Sequence, residues 1–349
     1  MKFSKSSKPL IRGIGAIGVI CGCIIQASST FGVAQESSRF DGLENYLNQQ
    51  MVGPDPVRII KSHLVESGTG TPLDELVAWA KAGFPDLQEN GYWKTEAISL
   101  KLGIVRSIHY YFETAPPRDK SKRYLEILEE LEKDDYISYH LVGMASVVVD
   151  EALLERTVID LLEQKDPTLR AKGVEMGARL AEKKRDLFDR YHEMLNTDDN
   201  PRVRMLILHA FIGWKTREVA LIALDRLLND TDASVRERGS RGLEMASERP
   251  DQLSVDDLIL LLPPMLRTND SMVRKSLGLA AARLSTPNRQ LYVRSEKITD
   301  EFLFGYINSV RLKGTEGGSP LNNAELAKEW LAWWTPLIPA YTGRIQIVH

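Results

Sequence analysis

The stretch Asp232-Ala-Ser-Val-Arg236 has three close relatives elsewhere in this sequence: Asp166-Pro-Thr-Leu-Arg170, Asn200-Pro-Arg-Val-Arg204 and Asp270-Ser-Met-Val-Arg274. The four arginines lie 34, 32 and 38 residues apart. A fifth copy, Asp134-Asp-Tyr-Ile-Ser138, lies 32 residues upstream of the first and has Ser in place of Arg. A period of this length is typical of proteins built from stacked helical units.

Each copy predicts the beginning of an α-helix. Asp or Asn just before a helix accepts hydrogen bonds from its first free backbone N–H groups. Pro, which follows in two copies, suits the first helical position. Counted from Arg204, the positions −1, +3, +7 and +10 are Val203, Ile207, Phe211 and Trp214, and the other copies place Gly, Ala or large apolar residues there. This spacing is one face of an α-helix.

A second amphipathic segment follows each of these helices, so that the repeating unit is a helical hairpin. The second segments are Leu153–Leu162, Leu187–Leu195, Val219–Leu228 and Leu258–Leu266. The pattern is strong over residues 134–285. Residues 55–133 predict weaker, degenerate hairpins, the first of them opening at Asp55-Pro-Val-Arg58. We therefore expect an all-α chain of about seven hairpins.

In the Asp-x-x-Val-Arg helix start and the hairpin period, the sequence resembles the HEAT-repeat family. The resemblance implies an α-solenoid, that is, an α-α superhelix of stacked hairpins, in which each arginine bonds to an Asp of an adjacent repeat. Residues that recur once per repeat normally serve the repeat. We therefore assign a structural role to Asp166, Arg170, Asn200, Arg204, Asp232, Arg236, Asp270 and Arg274.

Residues 1–34 differ in composition from the rest of the chain. They begin with four basic residues and no acidic one, continue with the apolar run 13–25, and end in small residues before Ala34. These are the three regions of a secretory signal peptide, and the run is shorter than the ~20 residues that span a bilayer. We expect cleavage after Ala34 and an exported protein, in the periplasm or outside the cell.

Cleavage would change both the charge and the cysteine content. Without the four basic residues, the formal net charge would fall from −3 to −7. Both cysteines, Cys21 and Cys23, would also be lost, so that neither disulfides nor thiolate ligands are expected. The alternative is a lipoprotein, because Ile20–Cys23 loosely resembles a lipobox; a membrane would then be contacted only through acylated Cys23.

The two ends of a helical stack need covers for their apolar faces. We expect a capping helix within residues 35–54, an irregular segment over 286–321, and a C-terminal cap that completes the region 286–349. Half of the six tryptophans, Trp330, Trp333 and Trp334, share one face of the C-terminal helix. Such a cluster either plugs the last hairpin or, if exposed, binds sugars or a partner protein.

No residue pattern predicts catalysis, a cofactor or a metal. The six histidines include only one His-Glu dipeptide, His192-Glu193, and the basic runs 118–123 and 183–185 lack interleaved aromatic residues. Nucleic acid is not expected as a partner of so acidic a chain. The sequence therefore favours a non-catalytic protein-binding scaffold that uses the groove of the second helices, including Leu187–Leu195 and Val219–Leu228. The alternative is an exported enzyme or carbohydrate-binding protein with a site near the tryptophans.

Overall fold

A computed structural model describes residues 41–50, 54–67, 71–83, 94–287, 291–316 and 319–344. The predicted signal peptide, its cleavage site and Cys23 lie outside the described residues. Within the described residues the fold is almost entirely helical, which confirms the prediction of an all-α chain. No helix in this part of the chain is both long enough and apolar enough to cross a bilayer.

The helices follow one another with short connections. They are α1 (Asp41–Gln49), α2 (Pro54–Ser67), α3 (Pro72–Ala82), α4 (Lys94–Thr114), α5 (Lys120–Glu130), α6 (Asp135–Val148), α7 (Glu151–Leu162), α8 (Pro167–Ala181), α9 (Arg185–Thr197), α10 (Pro201–Ile212), α11 (Arg217–Asn229), α12 (Ala233–Ser247), α13 (Leu258–Arg267), α14 (Ser271–Leu284), α15 (Asp300–Glu316), α16 (Asn323–Trp334) and α17 (Ile338–Tyr341). Two short antiparallel strands, β1 (Leu291–Val293) and β2 (Thr342–Arg344), join the C-terminal end to the segment before α15.

The repeated Asp and Asn residues lie at helix N-caps. Asp166, Asn200 and Asp232 each accept a hydrogen bond from the backbone N–H two residues further on. Asp270 and Asp134 each accept two such bonds, from the N–H groups two and three residues on. Each side chain thus satisfies donors that the first turn of a helix leaves free.

The helices α2, α4, α6, α8, α10, α12 and α14 form what we call the first-helix row. Successive members of this row pack directly against one another. The second helices α7, α9, α11 and α13 pack chiefly against members of the first-helix row. Contacts therefore run mainly between neighbours along the chain, as in quasi-one-dimensional repeat proteins.

Two glycines of the row allow a second helix to approach closely. A Cβ atom on Gly239 of α12 would lie 2.7 Å from the backbone N of Leu227 and 2.8 Å from the carbonyl O of Ala223, both in α11. On Gly177 of α8, a Cβ atom would lie 2.4 Å from Tyr191 Oη and 2.7 Å from Val158 Cγ1. Larger residues at these positions would push the helices apart.

The C-terminal region corrects one prediction. Within the segment expected to be irregular, residues 300–316 form helix α15. Its buried residues Leu303, Tyr306, Ile307 and Val310 follow helical spacing and pack into the core formed with α13, α14 and α16. At the other end, α1 buries Leu43 and Leu47 against the first helices.

Candidate functional site

The repeat arginines hold the turns between hairpins together. The guanidinium of Arg204 donates to both carboxylate oxygens of Asp230, from Nε at 3.0 Å and from Nη2 at 2.8 Å. Its third nitrogen, Nη1, donates to the carbonyls of Asp198 and Asp199 in its own turn, at 2.8 and 3.3 Å. The side chains of Arg204 and Asp230 are only 11% and 2% exposed. Arg204 therefore links its own turn to the next one.

The same geometry recurs one hairpin earlier. Arg170 Nε and Nη2 donate to Asp198 at 2.7 and 2.9 Å, and Nη1 donates to the carbonyls of Gln164 and Lys165. The acceptors Asp198 and Asp230 stand two residues before the N-caps Asn200 and Asp232. Each arginine thus bonds to the next repeat, as the resemblance implies, but to a carboxylate other than the N-cap residue.

The last two arginines have weaker or different partners. In the turn before α14 the equivalent acceptor position holds Thr268, and Arg236 lies 3.7 Å from the cap carboxylate Asp270 instead. Arg274 donates to Asp300 at 3.0 Å, at the start of α15, and to the carbonyl of Thr268 at 2.9 Å. The four arginines and their acceptors are called the arginine ladder below.

The pKa values of the ladder carboxylates reflect this pairing. Burial by itself disfavours the charged form of Asp198 and Asp230. The hydrogen bonds from Arg170 and Arg204, together with backbone N–H donors, outweigh burial, and the pKa of both carboxyls lies below the usual value. Asp198 and Asp230 are therefore ionised at neutral pH and pair with arginines that link successive hairpins.

A second ladder joins the beginnings of the second helices, and the sequence analysis missed it. Arg185, the first residue of α9, forms a two-point pair with Glu218 of α11 at 2.8 and 2.9 Å. Arg217, the first residue of α11, pairs with Asp257 just before α13, with one bond of 2.7 Å. Lys184 connects α9 back to Glu151 of α7 at 3.1 Å. The sequence pattern that marks this second ladder is a basic residue at the first position of successive second helices, Arg185 and Arg217.

The tryptophan cluster lies mostly inside the protein. Trp330 and Trp334 are fully buried, with ring centroids 6.2 Å apart and planes inclined by 10°. Trp330 Nε1 donates to Ser285 Oγ at 3.0 Å, and Trp334 Nε1 donates to Thr286 Oγ1 at 3.2 Å. Trp333 is half-buried against the same core. These two rings cover the end of the last hairpin and offer no free face to a sugar.

A cleft of about 940 Å³ lies beside this cluster. It is bounded by the ends of α12, α14 and α16 and by strand β1, and its walls are mainly apolar: they include Val255, Leu284, Tyr292, Leu331 and Ile338. Arg283 and Glu248 form an ion pair of 3.1 Å on one wall. The buried rings of Trp330 and Trp334 do not line the cleft, whereas their neighbour Leu331 does.

The histidines that the structure describes do not assemble a metal site. His109, on α4, is buried; its Nδ1 lies 3.2 Å from Tyr46 Oη and its Nε2 lies 3.5 Å from Glu113. Burial lowers its pKa, although the Glu113 carboxylate acts in the opposite sense. Among the described residues, no group of three His, Cys, Asp or Glu side chains is placed to hold a metal ion.

The first-helix row also carries a polar surface, separate from the arginine ladder, which we call the row face. It includes Tyr139 on α6, Glu175 on α8, His209 on α10, and Arg238 and Arg241 on α12. Arg238 Nη1 lies 3.1 Å from His209 Nδ1. Burial lowers the pKa of Arg238 and the like charge of Arg241 lowers it further, whereas Glu237 and Tyr139 act in the opposite sense.

Charged side chains of adjacent first helices also act on one another. Burial raises the pKa of Glu175 on α8, whereas the charge of Arg202 on α10 acts in the opposite sense.

Comparisons of the chain with protein-family models, with curated proteins and with solved structures found no match. The arginine ladder and the tryptophan cluster make contacts within the fold, and the cleft and the row face are the two surfaces of interest for ligands.

Proposed function

We propose that this chain is an α-solenoid of the HEAT-repeat type that serves as a non-catalytic binding scaffold for another protein. Two features support the solenoid: helices that pack mainly against their neighbours along the chain, and charged residues that link each hairpin to the next. Stacked hairpins present an extended surface suited to partner binding. The proposed place of action, in the cell envelope or outside the cell, rests on the composition of residues 1–34.

We place the binding surface on the row face. In a curved stack, the helices on the inner side approach each other more closely than those on the outer side. The first-helix row has this closer packing. The direct packing of successive first helices is the single observation that carries the assignment. The binding groove would thus be lined by the first helices, and not by the second helices as the sequence suggested.

Site-specific photocrosslinking tests this proposal. A photoreactive phenylalanine analogue would replace Tyr139 or Met245 on the first helices, or the exposed Asp160 and Glu193 on the second helices as controls. Irradiation in the native envelope or secreted fraction should give protein adducts at the first pair only. Adducts confined to Asp160 and Glu193, or equal at all four positions, would contradict the placement. Their absence at every position would contradict a protein-binding scaffold.

A second candidate function is the binding of a small molecule or a sugar in the C-terminal cleft. The cleft volume is in the range of ligand pockets, and its apolar walls with one ion pair suit an amphipathic ligand. Isothermal titration calorimetry of wild-type protein and Tyr292→Ala with oligosaccharides tests it. Saturable binding that Tyr292→Ala weakens would support this candidate, and the absence of binding heat at several temperatures would exclude the sugars used.

A further inference from the structure

The arginine ladder lacks one acceptor, in the turn between α13 and α14. In the turn before α12, the carboxylate of Asp230 accepts a hydrogen bond from the backbone N–H of the N-cap residue at 2.9 Å and two more from Arg204. Thr268 stands at the equivalent position before α14. Its hydroxyl keeps the first of these bonds, because Oγ1 accepts from the backbone N–H of Asp270 at 3.1 Å. Threonine has no carboxylate, so Arg236 lacks the two-point partner that Arg204 has.

Arg236 is nevertheless held in the same way as the other ladder arginines. Its Nη1 donates to the carbonyls of Asp230 and Thr231, both at 3.1 Å, which fixes the guanidinium against its own turn. Nη2 lies 3.7 Å from Asp270, which is too long for a hydrogen bond, and Asp270 Oδ1 caps α14 by accepting from two backbone N–H groups. Within the described residues, the edge of Arg236 formed by Nε and Nη2 therefore has no hydrogen-bond acceptor.

A cavity of about 510 Å³ lies at this joint, between the turn before α12 and the turn before α14. Its polar walls include Asn229, Asp230, Arg236, Arg267, Thr268 and Asp270. The charge of Asp230 is compensated by the two hydrogen bonds from Arg204. The remaining charged groups are two arginines, Arg236 and Arg267, and one aspartate, Asp270, so that the walls carry an excess of one positive charge. An anion is therefore favoured over a cation in this cavity.

We propose that this cavity binds a small organic acid through the Nε–Nη2 edge of Arg236. A carboxylate accepts two parallel hydrogen bonds from a guanidinium group, and the ladder uses this arrangement at Arg170 and Arg204. The bound acid supplies the group that Thr268 does not. The cavity is far larger than one carboxylate group needs, and its volume lies in the range of ligand pockets.

A dicarboxylate suits the cavity better than a monocarboxylate, because a second guanidinium lies on its wall. Arg267 is exposed, its Nε donates to the carbonyl of Pro263 at 3.2 Å, and among the described residues its two Nη groups have no acceptor. One carboxylate binds Arg236, and the second faces Arg267. The ligand thus connects two turns that an Asp side chain connects elsewhere in the ladder. The site is separate from the row face, and the inference does not depend on the proposed scaffold.

Isothermal titration calorimetry with succinate tests the site. Wild-type protein should bind succinate saturably, with an affinity that falls as NaCl is raised, and succinate should raise its thermal midpoint. Thr268→Asp supplies the missing carboxylate within the chain. It should abolish succinate binding and, without any ligand, should melt at a higher temperature than wild type. Arg236→Lys keeps the charge but loses the two-point edge, and it should weaken binding about tenfold.

The matched control is Arg156→Ala, at an exposed position of α7. It lowers the net charge by one, as Thr268→Asp does, and should bind succinate like wild type. Absence of saturable binding to wild-type protein, or equal binding by wild type and Thr268→Asp, would overturn the site. An equal loss in Arg156→Ala would show general attraction of anions and would overturn it as well. Sulfate or phosphate that displaces succinate at equal concentration would overturn carboxylates as the ligand class.

Discussion

Removing Arg204 should cost this fold more stability than removing any exposed arginine. Arg204→Ala leaves the Asp230 carboxylate, whose side chain is 2% exposed, without its two guanidinium donors. Breaking a buried ion pair from one side costs about 3–5 kcal/mol when the remaining charge has no other counter-charge. Arg226 Nη1 lies 3.9 Å from the Asp230 carboxylate, and the backbone N–H of Asp232 also donates to it, so that part of the charge stays compensated. We therefore expect a loss at the lower end of this range, about 3 kcal/mol, in the free energy of unfolding.

Arg236→Ala is the comparison that isolates this effect. Arg236 also donates to two carbonyls of its own turn, both at 3.1 Å, as Arg204 does at 2.8 and 3.3 Å. Its carboxylate, Asp270, is 3.7 Å away, and the two side chains are 25% and 39% exposed. An exposed pair of this kind contributes less than about 1 kcal/mol. The difference between the two variants reports the buried carboxylate alone.

Urea unfolding followed by circular dichroism measures both losses. The double variant Arg204→Met with Asp230→Leu should recover most of the stability, because it removes both charges and keeps apolar volume. The urea dependence should keep its slope, so that midpoints compare stabilities directly. If Arg204→Ala and Arg236→Ala differ by less than about 0.5 kcal/mol, the assigned role of burial in the ladder is refuted.

Two further predictions concern helix packing and pH. Gly239→Ala should lower the free energy of unfolding by about 1–3 kcal/mol, because its Cβ would meet the α11 backbone. The control Gly143→Ala adds a carbon with no atom within 4 Å and should raise the free energy of unfolding by roughly 0.5–1 kcal/mol. Equal thermal midpoints of the two variants would contradict the close approach of α11 to α12. The lowered pKa of Asp198 and Asp230 contributes stability above their unfolded pKa of about 3.9, and this is lost as pH falls through the folded pKa. The urea midpoint should therefore drop between pH 5 and 3, less steeply in Asp230→Asn, and a parallel drop would contradict the assignment.

The helix beginnings could be predicted from the sequence because a local interaction determines them. The N-cap side chains of Asp166, Asn200 and Asp232 bond to N–H groups only two residues away. The acceptors of the arginines could not be assigned in the same way, since Arg204 and Asp230 are 26 residues apart. The sequence nevertheless contains a pattern that marks these acceptors: in two turns an Asp, Asp198 or Asp230, stands two residues before the N-cap residue.

Helix α15 was overlooked for a different reason. Leu303, Tyr306, Ile307 and Val310 have helical spacing, but no Asp-x-x-Val-Arg start precedes them. The prediction of helices relied on the repeated helix start, and a helix without that start was therefore assigned to an irregular segment. The row face could not be predicted, because the sequence does not say which row of helices packs more closely from one hairpin to the next.

The two ladders also have a mechanical consequence. Ion pairs at both edges, Arg204–Asp230 on one and Arg217–Asp257 on the other, resist hinge rotation between the hairpins they join. The first edge is weaker at two joints: between α6 and α8, where Ser138 stands in place of the ladder arginine, and between α12 and α14, where Arg236 lies 3.7 Å from Asp270. Under tension applied to the two ends of the row, it should bend first at one of these joints. The hairpins from α8 to α13, tied on both sides, would move together as a stiff unit.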